Sequence, residues 1–175
     1  MKMKKNNILK CLVPLLATMV MASCKDSLPQ PDFTKDTPIV ELPTASLAGN
    51  GGGNSMDVKA AVQATPYDYF IYVNYAAPNA NPTDVAVTLA VDTAVLSKFN
   101  KANGQSYPLL PAADYTLSNK ITIPAGQRKV KYPIKFNTNL MDPKVTYALP
   151  LKITDASGVT ISGNFGTLNL LVNAK

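Results

Sequence analysis

The sequence predicts an all-β protein, an antiparallel sandwich of about seven to eight short strands with one short crossover helix. Three observations predict it. Hydrophobicity past residue 38 repeats every second residue, not every 3.6. Turn-forming clusters rich in Gly, Pro, Asn and Asp punctuate the chain at short intervals. No long amphipathic helix and no strand–helix–strand rhythm interrupts the pattern, so nothing points to a parallel sheet.

The elements follow in order. Residues 39–42, Ile-Val-Glu-Leu, begin a first short strand, and the Gly-rich stretch 49–54 reads as a turn. Met56, Val58, Ala60 and Val62 then alternate with Asp57, Lys59, Ala61 and Gln63. Residues 67–75 are apolar on both faces at their centre. In 84–92, Val85, Val87, Leu89 and Val91 share one face, with Asp84, Thr88 and Asp92 on the other. Asp92 or Thr93 suits the cap of a short helix over 94–102, with Val95, Leu96 and Phe99 on its apolar side and Gly104 at its exit. Strands resume at 114–118 and 119–123, and Pro124-Ala125-Gly126-Gln127 turns the chain. Val130, Tyr132, Ile134 and Phe136 point inward while Lys129, Lys131 and Lys135 point outward. Val145, Tyr147, Leu149, Leu151 and Ile153 share a face, Asp155 to Gly158 turns, and 165–173 closes the domain. Pro150 cannot donate to a strand ladder, which predicts an edge strand or a bulge there.

The N-terminus is of another kind. Lys2, Lys4, Lys5 and Lys10 precede an apolar stretch over 11–22. That stretch is too short to cross ~30 Å of hydrocarbon as a helix but fits an export signal. It ends in Met21-Ala22-Ser23-Cys24, which resembles the lipobox of bacterial lipoproteins, with Met21 where Leu is preferred. The resemblance implies cleavage before Cys24 and acylation of that residue, and so a membrane anchored through lipid. Asp26 and Asp32 resemble, with a gap between them, the acidic surface-export signal of some gut-anaerobe lipoproteins. The expected organisation is a signal over 1–23, a lipidated cysteine and extended tether over 24–37, and the sandwich over 38–175. Losing four lysines and no acids takes the formal charge from +6 to +2, so the basic balance is no argument for nucleic acid. Cys11 leaves with the signal and Cys24 is taken by lipid, so the domain must rest on its apolar core.

Few chemistries remain. Histidine is absent, which removes Ser-His-Asp and Cys-His catalysis and the usual zinc sites. Glu41 is the single glutamate. Asp84 and Asp92 share a side of one strand but stand about 26 Å apart along it, too far for a glycosidase pair. The Gly-rich 49–54 lacks the Lys-Ser/Thr and the helix of a phosphate loop. Calcium would need Asp68, Asp84, Asp92, Asp114, Asp142 and Asp155, dispersed in sequence, to meet at one end of the sandwich. No metal, cofactor or catalytic residue is therefore assigned. Among the aromatics, Tyr132 and Tyr147 have the inward phase of core residues. Phe70 and Tyr72 point outward if Ile71 and Val73 point in. They are the candidate ligand-binding residues, a small stacking patch suited to a sugar ring. The alternative we favour on sequence is that the 92–113 crossover covers them.

The stretches VAVTLAVDTAVLSKFNKANGQSYPLLPAADYTLSNKITIPAGQ (85–127) and DPKVTYALPLKITDASGVTIS (142–162) resemble a family. It is the domain of unknown function near the N-terminus of many gut-anaerobe surface lipoproteins that belong to glycan-utilisation systems of the starch-utilisation type. The matching features are the Asp92-to-Asn100 helix, Tyr107 with Leu110-Pro111 and Tyr115, Ile123-Pro124-Ala125-Gly126, and Tyr147-Ala148-Leu149-Pro150-Leu151. The resemblance implies an immunoglobulin-like sandwich on the outer membrane, facing the cell surface. It implies no shared catalytic residue. The expectation is a non-catalytic module that binds polysaccharide or serves a neighbouring outer-membrane glycan transporter complex. The alternative is a spacer or assembly domain that binds another outer-membrane protein. Mass spectrometry of the natural protein should find a mature N-terminus at an acylated Cys24; an unmodified thiol or a retained leader would refute the lipobox reading.

Overall fold

The computed structural model describes residues 36–43 and 54–175. The expected signal, Cys24, most of the tether and nearly all of the Gly-rich turn lie outside the described residues.

Among the described residues, ten strands build two five-stranded sheets and one α-helix accompanies them. They are β1 (Ile39–Glu41), β2 (Ser55–Ala60), β3 (Tyr67–Ala76), β4 (Val85–Val91), α1 (Thr93–Asn103), β5 (Tyr115–Leu117), β6 (Lys120–Ile123), β7 (Lys129–Phe136), β8 (Tyr147–Asp155), β9 (Thr160–Ile161) and β10 (Thr167–Ala174). The first sheet runs β5-β7-β3-β1-β9 and the second β2-β10-β8-β4-β6. The sandwich expected from sequence is thus present, with two differences. It has ten strands, because the two-residue β9 carries no readable alternation. It is also not wholly antiparallel, since β1 pairs with β9 and β2 with β10 in parallel.

The inward residues of each sheet meet in one apolar layer. Ile71, Val73, Tyr132, Ile134 and Phe136 from the first sheet face Val87, Leu89, Leu149, Leu151, Leu168 and Leu170 from the second, all buried. At roughly 25 cal/mol per Å² of apolar area removed from water, this layer dominates the stabilisation of the domain. Tyr132 lies at 0 % exposure, so its hydroxyl needs a partner; it donates to the carbonyl of Ser118, just past β5. Burial pushes its pKa up to about 12.

Helix α1 starts and stops as its sequence predicts. Asp92 is extended and its side chain accepts from the Ala94 amide at 2.9 Å; Gly104 closes the other end in the left-handed conformation. The helix lays Leu96 and Phe99 on the outer face of the second sheet, against Ala148 of β8 and Leu171 of β10. Tyr107 packs on Phe99 with ring centroids 6.2 Å apart. Leu109 and its neighbours bond to Ala148, continuing this cover.

Pro150 corrects an expectation. It lies in β8, a central strand flanked by β10 and β4, with no bulge at its own position. Its carbonyl accepts from the Asp92 amide, just past the last residue of β4. The reciprocal bond of an antiparallel pair would need an N–H on residue 150. Because proline has none, the Asp92 carbonyl turns instead to the Val95 amide and opens α1. The proline thus sits where β4 leaves the sheet. Pro133 in β7 obeys the same logic. The Tyr75 amide bonds to Arg128, so alternation aims the odd-numbered positions of β7 at β5. Pro133 falls one residue beyond Leu117, where β5 has ended.

The turn at Pro124–Gln127 is held from the β3–β4 connection. Asn81, buried, donates through its amide to the carbonyls of Thr83, Ile123 and Pro124 and receives the Gly126 amide on its own carbonyl. Asp84 accepts from the Ala125 amide at 2.8 Å.

Replacing Tyr132 by Phe should cost ~1 kcal/mol or more, because it strips the Ser118 carbonyl of its donor. The lead of the natural protein over this variant should shrink as pH rises from 10.0, the ordinary tyrosine value, towards about 12, since the unfolded chain releases that proton first. Thermal melts across alkaline pH measure both. Asp92 provides the opposite sign. Its hydrogen bonds from Lys152 and from the Ala94 amide hold its pKa below 3.8, so its contribution is present above that value and fades as pH falls through it. Asp92→Ala should therefore melt lower than the natural protein at neutral pH, with the gap closing in acid; a gap independent of pH would contradict this assignment.

Candidate functional site

The candidate site lies on the outer face of the first sheet. Alternation along β3 buries Ile71, Val73 and Tyr75 and turns Asp68, Phe70, Tyr72 and Asn74 outward. On the partner strand β7 the outward set is Lys129, Lys131, Pro133 and Lys135. Register places Phe70 opposite Pro133, Tyr72 opposite Lys131 and Asn74 opposite Lys129. Phe70 is 43 % exposed, unusual for so large an apolar side chain, and meets Tyr72 edge to face with centroids 5.5 Å apart.

Both lysines lean diagonally onto this pair. Lys131 Nζ lies 4.3 Å from the Phe70 centroid and Lys129 Nζ 4.9 Å from that of Tyr72. Such contacts at an exposed site contribute only ~0.5–1 kcal/mol each, so the ammonium groups are easily drawn off by a stronger partner. The rest of the face is internally satisfied. Lys135 pairs with Asp68 at 2.6 Å, and Asn74 donates to Glu41 of β1 at 3.0 Å. The result is an exposed patch of two rings and a proline beneath two lysines that have no carboxylate partner among the described residues.

The crossover does not cover this platform. It was expected over Phe70 and Tyr72, but α1 rests on the other sheet, because Leu96 and Phe99 find small Ala148 and apolar Leu171 on β8 and β10. Tyr132 is buried as expected, and Tyr147 packs against the same core, half-buried. Lys129, Lys131 and Pro133 were not read from sequence as parts of a site. Their outward phase was visible, but the pairing of β7 with β3, some sixty residues away, was not.

The carboxylates serve the fold. Asp84 holds a turn amide, and Asp92 caps α1 and takes a hydrogen bond from Lys152 at 2.9 Å. Asp114, at 5 % exposure, has its pKa raised by burial and ends the 3-10 turn Ala112–Asp114 that leads into β5. Among the described residues no three His, Cys, Asp or Glu side chains gather in a way that could hold a metal ion. No helix among them is long and apolar enough to cross a membrane.

Comparison with known proteins fits this architecture. A protein-family model for an "N-terminal domain" matches residues 40–160, and the chain belongs to that family. No curated protein matches it. Among solved structures, a Bacteroides ovatus protein of unknown function superposes with a TM-score of 0.65 at 21 % identity, covering 79 % of this chain and 47 % of its own. A proposed carbohydrate-binding protein from Bacteroides ovatus gives 0.60 at 14 % identity, over 77 % of this chain and 36 % of that one. An auxiliary nutrient-binding protein from Bacteroides thetaiotaomicron gives 0.56 at 18 % identity, over 67 % and 43 %. At these identities the likeness is one of fold. The chain spans less than half the length of these three structures.

Proposed function

We propose that the protein is a non-catalytic accessory module of glycan capture, displayed on the outer membrane by lipid at Cys24. The observation that carries this reading is the Phe70–Tyr72 pair on the outer sheet face, which no element of the described residues covers. A ring face or edge packs against the apolar side of a sugar while the Tyr72 hydroxyl is free to hydrogen-bond. Two of the fold relatives, named for carbohydrate and nutrient binding, support the same direction. The anchor and the surface location rest on the lipobox resemblance at Met21–Cys24. A neighbouring glycan transporter complex is the natural recipient of whatever the module holds.

A second reading has its own support. The family is one of N-terminal domains, and the fold relatives are more than twice as long as the matched part. A spacer that sets another domain away from the membrane would match in this way. A polysaccharide panel separates the two. The accessory-module reading expects at least one glycan to be retained, with retention reduced in Tyr72→Ala while the melting temperature stays near that of the natural protein. Uniform failure to bind would hand the assignment to the spacer.

A further inference from the structure

Resting on the reading of the Phe70–Tyr72 face as a glycan platform, we propose that its ligand is an anionic polysaccharide, one bearing carboxylate or sulfate groups, gripped by Lys129 and Lys131.

The two ammonium groups lie over the very rings a sugar would stack on. A neutral glycan must displace both lysines and offers them only hydroxyls in return. An anionic glycan offers each a charge-assisted hydrogen bond, shorter and stronger than a neutral one, and leaves the rings free for the sugar. The local charge favours the same class. Of the acidic groups on this face, Asp68 is neutralised by Lys135, and Glu41 is engaged by Asn74. Glu41 keeps its negative charge, since an amide does not neutralise it, but Lys129 and Lys131 are the lysines of this face without a carboxylate partner among the described residues, two residues apart on one strand and about 7 Å along it. That interval lets adjacent or near-adjacent charged sugars meet both at once. Arg128, next in line, keeps its charge but holds its guanidinium on the carbonyls of Ala77 and Pro78. The apolar base of Phe70, Tyr72 and Pro133 distinguishes the platform from a merely basic patch, because it rewards the ring of the sugar as well as its charge.

The test measures binding of the protein to polygalacturonate, chondroitin sulfate, neutral mannan and starch, and anionic phospholipid vesicles, at low and physiological salt. The first two separate a carboxylate ligand from a sulfate one. Expected is retention of at least one acidic polymer, weakened by added salt. Lys129→Gln combined with Lys131→Gln should reduce it about tenfold or more, and Tyr72→Ala should reduce it as well. Both lysines are exposed, so unchanged melting temperatures are expected of the double variant and guard against misfolding as the cause. Retention of neutral glycans alone would overturn the anionic assignment while leaving the glycan module standing. Loss of all polysaccharide binding would overturn both. Binding to vesicles without any polysaccharide would assign the lysines to a lipid surface and equally refute the proposal, as would acidic-polymer binding that ignores the double substitution.

Discussion

The apolar layer between the two sheets is the constraint from which the remaining structure follows. Each strand must give alternate side chains to it, since the pleat sends successive residues to opposite faces. Once Ile71, Val73 and Tyr75 are committed inward, Phe70 and Tyr72 can only point out. The same requirement on β7 buries Val130 in part and Tyr132, Ile134 and Phe136 fully, and leaves its lysines in water. The platform is therefore the obligatory reverse side of the core, held at fixed register by ladder bonds on both strands. Few arrangements provide so rigid a backing for side chains that face solvent.

The two outer faces have different fates because of small differences in composition. On the second sheet, Ala148 and Leu171 leave a shallow apolar area that α1 fills. Two asparagines on the same outward phase of β10, Asn169 and Asn173, are drawn under this side of the fold and bond to neighbouring backbone carbonyls. On the first sheet the outward residues are long, aromatic or charged, and no element of the described residues lies across Phe70. One face is closed by packing and the other is left open among the described residues.

Much of this was legible from residue order alone. Strand positions came from alternation, and nearly every predicted segment is present within a few residues. The helix was set by Asp92 and Gly104, whose roles depend on local geometry and so can be read locally. What resisted reading was non-local. Two residues cannot display a period, so β9 was invisible, and a parallel pairing of distant segments such as β2 with β10 leaves no mark on either segment. Pro150 was read as an edge marker because proline usually is one. Its placement in the middle of a sheet depends on β4 ending beside it, a fact about another strand. Phe70 and Tyr72 were recognisable as a pair, yet the lysines above them and the sheet that α1 would choose depended on the three-dimensional pairing.

Pro133 has a consequence of a different order. Bare amides along a terminal strand invite another chain to add itself. Short β5 leaves part of β7 open to such an approach, and the imide nitrogen falls in that gap. A stray strand docking there would find no hydrogen to accept and a rigid ring in its path. What looks like a break in the ladder thereby withholds from the open edge a donor on which another chain could pair.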